Sequence, residues 1–188
     1  MLDNYPKEIM TKNGTPIIIR PLVKEDKDRF REFLTRIPDE ERWFIRDDMA
    51  DLEAIHSWIE NLDYSRTIPL VAAKQEDGTI VGNVRLQMRL SECLSHVAHL
   101  RIIVDPAYRE QRLGTWMLID TIKLAMDIGL EKLVAEFVAG LDEAAIAAAH
   151  RLDFFEQAVF RDYLKDRHGR YRDLVVMVKT VHSDWSDF

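Results

Sequence analysis

The spacing of apolar residues along this chain predicts both helices and strands. Between residues 24 and 37 the apolar side chains recur every three or four positions, which predicts a helix with one apolar face. A similar spacing over residues 52–62 predicts a second helix. From Ile80 to Leu90 apolar and polar residues alternate instead, as in a strand with one buried face.

Turn signals divide the rest of the chain into further elements, because proline and glycine interrupt regular structure. Residues 1–15 are polar and predict a loose lead-in. The long amphipathic helix is predicted to turn Asp120, Lys123 and Asp127 toward solvent. The predicted strands are 16–20, 68–74, 80–90, 97–104, 132–138, 159–165 and 171–179, and the predicted helices are 24–37, 52–62, 113–128 and 142–152.

The order of these elements, β-α-α-β-β-β-α-β-α-β-β, predicts an α/β (α+β) fold. Hairpins at both ends and a crossover helix in the middle require a mixed, mostly antiparallel sheet flanked by helices. The chain has 188 residues, contains no internal repeat and is long enough to bury a core. We therefore expect a single domain over residues 1–188.

Composition narrows the class of protein. Hydrophobic residues form 47% and charged residues 31% of the chain, as in soluble globular proteins. The sequence contains no apolar run long enough for a membrane-spanning helix and no signal peptide pattern at its N-terminus. A single cysteine, Cys93, allows no internal disulfide and fits the reducing cytoplasm. A net charge of −7 argues against a general nucleic-acid-binding protein.

The segment over residues 100–119 carries the strongest chemical signal. A buried strand ends at residues 105–106, and a loop rich in donors then leads into the long helix. The first N–H groups of a helix lack internal partners and the helix dipole is positive there, so this junction can bind an anion. Arg109 and Arg112 add positive charge, and Gly114 lets a phosphate approach the backbone. An ordinary connection with solvated arginines is the alternative.

The longer pattern in this loop resembles a family signature. Residues 111–116, QRLGTW, resemble the Gln/Arg-x-x-Gly-x-Gly/Ala signature of the GNAT acetyltransferase superfamily, except that Trp116 replaces a small residue. Residues 103–109, IVDPAYR, are similar to the lead-in of that signature. Residues 13–33 are similar to the acetyltransferase domain of bacterial protein-lysine acetyltransferases, and the element order resembles the GNAT fold.

The resemblance implies acetyl-CoA as the cofactor and transfer of its acetyl group to a primary amine by direct attack in a ternary complex. It implies that the central strand pairs with pantetheine and that the loop holds the pyrophosphate. Asp142 aligns with a family asparagine that contacts pantetheine, and it also stands where its own helix would be capped. The implied cofactor-binding residues are Ile102, Ile103, Val104, Arg109, Gln111, Arg112, Leu113, Gly114, Thr115 and Asp142.

His99 is the candidate general base. Many relatives carry a glutamate five residues before the valine of the Val-x-Pro motif, and His99 holds that position. An imidazole titrates near neutral pH and could take a proton from an ammonium group, while Arg101 on the same strand face would disfavour its protonation. A half-buried histidine with a structural role is the alternative. Ala149 replaces the usual tyrosine acid, so either no dedicated acid protonates the leaving thiolate, which is a tolerable leaving group near neutral pH, or His150 or Tyr163 is a weak substitute.

The acceptor is left open by the sequence. The resemblance implies a protein lysine, whereas the acidic residues within 38–53 are equally consistent with a small cationic amine, or form a solvated face. A non-catalytic acyl-CoA-binding or sensing module is the alternative function, because Trp116, Ala149 and His99 depart from the family pattern. The expected setting is the cytoplasm, with no nucleic-acid or membrane partner and a possible homodimer.

Overall fold

Eight strands form one sheet within the residues that the computed structural model describes, which are 2–45, 52–89 and 91–181. They lie in the order β1-β2-β3-β4-β5-β6-β8-β7, and all neighbours are antiparallel except β5 and β6. The strands are β1 (Lys7–Met10), β2 (Pro16–Pro21), β3 (Thr67–Lys74), β4 (Ile80–Met88), β5 (Val97–Val104), β6 (Lys132–Val138), β7 (Phe155–Lys165) and β8 (Tyr171–Thr180).

Helices cover both faces of this sheet. Neighbouring residues of β3 belong to different apolar clusters, because successive side chains of a strand point to opposite faces. Val71 packs with the cluster that contains α1 and α3, and Leu70 packs with the cluster that contains α4 and α5. The helices are α1 (Lys27–Arg36), α2 (Asp39–Arg42), α3 (Leu52–Glu60), α4 (Leu113–Asp127) and α5 (Glu143–His150).

The fold class predicted from the sequence is confirmed, with two additional elements. The expectation of a loose lead-in over residues 1–15 is wrong, because β1 pairs with β2 from Lys7 opposite Ile19 to Met10 opposite Pro16. The short helix α2 lies in the segment between the first two predicted helices, and β7 begins at residue 155 instead of 159. All of β1 and the first residues of β7 were missed because exposed edge strands need not alternate apolar and polar residues.

The position of α4 depends on a close approach to the sheet. A Cβ atom on Gly82 of β4 would lie 2.8 Å from the Sδ atom of Met117 and 3.4 Å from the Cβ of Ala72. Glycine therefore allows α4 to lie against the strands at this point. The contact sets the N-terminal turn of α4 beside the end of β5.

The two parallel strands separate halfway along their length. Their pairing runs from Val97 opposite Lys132 to Leu100 opposite Ala135, although β5 continues to Val104 and β6 to Val138. Beyond Leu100, β5 stays paired with β4 on its other side, and β6 stays paired with β8. A gap therefore opens in the middle of the sheet, between the C-terminal halves of β5 and β6.

Candidate active site

A cavity of about 420 Å³ occupies the gap between β5 and β6. Its walls are the separated ends of these strands, the first turn of α4 and one side of α5. The remaining wall comes from the connector, which we define as residues 37–45. This segment follows α1 and includes α2. The cavity thus joins a helix N-terminus, an open strand edge and an apolar helix face, which is how binding sites for small molecules are commonly built.

Hydrogen bonds to Asp105 hold the loop that leads into α4. The buried carboxylate of Asp105 accepts a hydrogen bond from the N–H of Ala107 at 3.0 Å and another from Arg36 Nε at 2.6 Å. Glu110 and Arg112 both adopt left-handed backbone conformations, with φ of 58° and 65°. These two residues turn the chain sharply into α4, whose first residues line the cavity and carry N–H groups without helical partners.

Gly114 has no packing reason to be a glycine. A Cβ atom at this position would meet Val104 at 3.5 Å and Ile102 at 3.7 Å, which are ordinary contacts, and its backbone is not left-handed. The missing side chain instead leaves the first turn of α4 open where it borders the cavity. An open backbone at a helix N-terminus fits a phosphate group, so the residues present fit the pyrophosphate of acetyl-CoA.

All but one of the cofactor-binding residues predicted from the sequence line the cavity. Gln111 does not, because its amide donates to the backbone oxygen of Ala107 at 2.9 Å, and its own backbone oxygen accepts from the N–H of Lys12 at 3.1 Å. Gln111 therefore stabilises the conformation of the loop and does not line the cavity. Those that line the cavity are Ile102, Ile103, Val104, Arg109, Arg112, Leu113, Gly114, Thr115 and Asp142.

Arg109 connects three parts of the site. Its Nη1 and Nη2 atoms donate to the two carboxylate oxygens of Glu41 at 2.8 and 2.5 Å, and its Nε donates to the backbone oxygen of Val104 at 3.1 Å. A bidentate pair of this kind fixes both partners in orientation as well as in charge. The loop, the end of β5 and the connector are therefore joined through one guanidinium group.

His99 lies beside the cavity but not in its wall. Its neighbours in the sheet are Gln87 on β4 and Val134 on β6, one residue pair before the strands separate. Burial and the charge of Arg89 lower the pKa of His99 below its ordinary value of 6.5, and Glu136 opposes them. The imidazole is therefore neutral at pH 7. Glu136 itself lines the cavity, and by strand alternation it lies on the same sheet face as His99.

Asp142 lies in the wall opposite β5. The interpretation that its side chain caps α5 is wrong, because its Oδ2 accepts a hydrogen bond from the N–H of Val138 at 2.7 Å and not from the helix. Burial raises the pKa of this carboxyl group, while Val138 and the nearby Arg101 and Arg109 lower it. The side chain thus closes the turn between β6 and α5 and presents its carboxyl group to the cavity.

Residues from distant elements also reach the site, and little in the sequence indicates them. Glu41 belonged to an acidic run that was interpreted as either an attraction for cations or a solvated face, yet it lines the cavity in contact with Arg109. Glu136 occupies an alternating position of β6, which was the only signal that could have placed it on a face. Two hydrogen bonds anchor the connector. The backbone oxygen of Phe44 accepts from Arg101 at 2.5 Å, and the indole N–H of Trp43 donates to the backbone oxygen of Lys165 at 2.8 Å.

Within residues 2–45, 52–89 and 91–181, acidic, histidine and cysteine side chains nowhere form a group that could hold a metal ion. None of the described helices is long and apolar enough to cross a membrane.

Comparisons with known proteins agree with this geometry. Residues 26–154 match the model of the Acetyltransferase (GNAT) family. No curated protein matches the sequence significantly. Among solved structures, the ribosomal-protein-S5-alanine acetyltransferase of Vibrio fischeri is 15% identical, with a TM-score of 0.79 over 97% of this chain and 100% of that one. The protein yncA of Salmonella typhimurium, solved with its cofactor acetyl-CoA, is 20% identical, with a TM-score of 0.71 over 92% and 98% of the two chains.

A third solved structure has the same fold. The GNAT domain of PAT from S. lividans is 16% identical to this chain, with a TM-score of 0.76 over 95% of this chain and 98% of that domain. At these identities the structures show the shared fold.

Proposed function

The chain belongs to the GNAT family and is an acetyltransferase that uses acetyl-CoA, and from this premise we propose that it acetylates a primary amine by direct attack in a ternary complex. The observation that carries the proposal is the cavity between β5 and β6, because one opening joins a helix N-terminus to a polar sheet face. The helix N-terminus suits the phosphates of acetyl-CoA, and the polar sheet face suits a cationic amine.

The loop and the first turn of α4 are the proposed pyrophosphate site. Arg112, Leu113, Gly114 and Thr115 line the cavity there, and their helix N-terminus offers N–H groups and positive charge. Gln111 supports this turn from behind. The main chain over Ile102–Val104 lies beyond the end of the β5–β6 pairing, so its edge is available to the amide groups of pantetheine.

The acetyl thioester of acetyl-CoA supplies the electrophilic carbonyl carbon, and the residues of this chain prepare the amine that attacks it. An ammonium group must lose its proton before it can attack, and we assign that proton to His99 because the imidazole is neutral at pH 7. Glu136 lines the cavity on the same sheet face as His99 and would attract the ammonium group. A backbone N–H within Ile102–Val104 is the proposed donor to the oxyanion.

A non-catalytic acyl-CoA-binding module is the alternative function, and one observation favours it. His99 is absent from the cavity wall, so the predicted base does not border the space where the amine would react. Turnover separates the two functions, since both require acetyl-CoA binding but only the enzyme releases CoA when an amine is present. The single domain, the cytoplasmic location and the possible homodimer stay predictions of the sequence.

Thermal unfolding with and without acetyl-CoA tests the cofactor site. A ligand at about 100 times its Kd that binds only the folded state adds about 2.7 kcal/mol to the free energy of unfolding, which raises Tm by several degrees. We expect this rise in the wild type and in an Arg161→Ala control on the exposed face of β7. We expect its loss in the Arg109→Ala/Arg112→Ala double variant. An unchanged wild-type Tm at millimolar acetyl-CoA would contradict the proposal.

Release of CoA thiol with a panel of amines tests the reaction. The panel contains lysine peptides, polyamines and aminoglycosides, because the composition of the site is consistent with all three classes. We expect one class to release CoA much faster than the others. Clear acetyl-CoA binding without CoA release from any amine would support the binding module instead.

A further inference from the structure

The ion pair between Glu41 and Arg109 closes one side of the cavity. Both residues line the cavity, and their side chains come from the connector and from the loop, which are 68 positions apart in the sequence. Both carboxylate oxygens of Glu41 are used by the two Nη atoms of Arg109. As long as this pair persists, the charge of Glu41 is neutralised and each of its oxygens already accepts a charged hydrogen bond, so its attraction for any other cation is weakened.

The pair competes with the cofactor for the same guanidinium group. Arg109 belongs to the loop that forms the proposed pyrophosphate site, and the edge formed by its Nη1 and Nη2 atoms can face only one bidentate partner at a time, while its Nε is held by the backbone oxygen of Val104. A pyrophosphate carries more negative charge than one carboxylate, and the helix N-terminus beside it adds to its attraction. Binding of acetyl-CoA would therefore draw Arg109 away from Glu41.

The release of Arg109 would leave Glu41 as a carboxylate without its cation in a partly apolar wall. Its side chain is 24% exposed, and the neighbouring connector residues in the cavity wall are Ile37 and Ile45. Arg36 of α1 and Arg42 of α2 are already engaged, since Arg36 pairs with Asp105 and Arg42 with Asp39. A partly buried carboxylate that has lost its partner strongly favours a new cation.

We propose that Glu41 is an acceptor-binding residue that selects amines with a second positive charge and becomes available when acetyl-CoA engages Arg109. This inference rests on the proposed function. The second charge follows from the chemistry: the amino group that reacts must give up its proton, so a carboxylate that stays ionised has to hold a different cationic group. The acceptor is therefore a diamine, or a lysine with another basic group nearby, and it binds after acetyl-CoA.

Matched amines separate this role from general electrostatic attraction. The assay measures KM and kcat for pentylamine against 1,5-diaminopentane, and for the blocked peptide Gly-Lys-Gly against Gly-Lys-Arg. In Glu41→Gln we expect KM for the doubly charged member of an accepted pair to rise at least about tenfold, the loss of one charged contact. KM for the singly charged member and kcat should remain close to those of the wild type. Glu40→Gln, at the neighbouring exposed carboxylate, is the matched control and should leave both KM values unchanged.

Binding measurements test the exchange of partners. Titration calorimetry should show that Glu41→Gln binds acetyl-CoA more tightly than the wild type, because Arg109 no longer has to leave a carboxylate. The wild type should bind 1,5-diaminopentane in the presence of CoA and not in its absence. Glu41→Asp, which keeps the charge on a shorter side chain, should fall between the wild type and Glu41→Gln and shows that the effect is not one of misfolding.

The outcomes distinguish the inference from the proposed function. If the wild type binds acetyl-CoA but releases CoA with none of these four amines and with no amine of the wider panel, the proposed function fails, and the inference fails with it. If the wild type acetylates at least one pair but Glu41→Gln changes neither KM for the doubly charged amine nor the Kd for acetyl-CoA, the inference alone is overturned. A rise in KM for singly and doubly charged amines alike would also overturn it, because Glu41 would then not recognise a second charge.

Discussion

The hydroxyl group of Tyr5 donates a hydrogen bond of 2.6 Å to Asp120 on the middle of α4. Lys7 of β1 forms an ion pair with the same carboxylate, which is only 9% exposed. Burial and the charge of Asp120 raise the pKa of Tyr5, so its hydroxyl group keeps the proton that it donates. The N-terminal segment therefore holds α4, the helix whose first turn borders the cavity.

Replacing Tyr5 by phenylalanine should destabilise the protein without touching the cavity. The substitution removes one hydrogen bond to a buried carboxylate, so we expect the free energy of unfolding to fall by about 1–2 kcal/mol. Urea unfolding measures this change, with Tyr163→Phe on the exposed face of β7 as the control. A loss as large in Tyr163→Phe as in Tyr5→Phe would contradict the role of the Asp120 contact.

This contact also marks the limit of what the sequence could predict about the fold. The inner strands and main helices were predicted because their apolar side chains recur at regular spacing. The prediction that Asp120 faces solvent is wrong, because Tyr5 and Lys7 cover it from the N-terminal segment, more than 110 positions away in the sequence. A charged residue on a helix gives no sign of such partners, and β1 was missed since its four residues include only Ile9 as a partly buried apolar side chain packed on the core.

In the candidate site too, the residues that could be predicted are those whose signal is local in the sequence. The loop over residues 109–115 was recognised because its residues are contiguous and carry a motif. Glu41 and Glu136 reach the cavity from a connector and a different strand, so their positions depend on how the elements pack. His99 was predicted from its place in a strand, but whether a strand residue borders a cavity depends on where the two strands separate.

Substitution of His99 tests the proposed base. In His99→Gln we expect kcat/KM at pH 7 to fall about 10²–10⁴-fold, the usual contribution of a general base. The Kd for acetyl-CoA should not change. His96→Gln, directly before β5, is the control and should have a kcat/KM close to that of the wild type. The wild-type profile of kcat/KM against pH should also lose an acidic limb when His99 is replaced, because that limb reports protonation of the free base.

The Glu136→Gln variant tests whether His99 or Glu136, which share one face of the sheet, is the general base. If Glu136 attracts the ammonium group and His99 takes its proton, Glu136→Gln should raise KM for the amine more than it lowers kcat. If instead Glu136→Gln abolishes kcat while His99→Gln remains active, the base is Glu136 and the assignment of His99 is wrong.

The lowered pKa of His99 predicts a pH-dependent stability. Between the folded-state pKa and the ordinary value of 6.5, the unfolded chain binds more protons at this residue than the folded chain does. The stability that the neutral imidazole contributes is therefore complete above 6.5 and is lost as the pH falls through the folded-state pKa. Urea unfolding of the wild type and of His99→Gln at about pH 7.5 and about pH 5 should show the wild type losing more stability at the lower pH. The opposite order would show that the folded chain favours the protonated imidazole.

Asp142 offers a substitution that should strengthen cofactor binding. Because burial raises the pKa of this carboxyl group, the stability linked to it is complete below the ordinary value of 3.8 and is lost as the pH rises through the folded-state pKa. Asp142→Asn removes the buried charge at pH 7 and keeps an oxygen that can accept from Val138. Its amide also adds a donor for a carbonyl of pantetheine. We therefore expect Asp142→Asn to be at least as stable as the wild type and to bind acetyl-CoA more tightly in titration calorimetry.

Asp142→Ala is the matched comparison, because it removes the charge and the acceptor together. The N–H of Val138 would lose the 2.7 Å bond that closes the turn between β6 and α5, and we expect a loss of about 1–3 kcal/mol in the free energy of unfolding. Acetyl-CoA binding should weaken in this variant, since the turn forms part of the cavity wall. If Asp142→Asn weakened binding as much as Asp142→Ala, the negative charge would be the important feature. Its attraction for Arg101 and Arg109 would then organise the site, and the proposed donor role at this position would be wrong.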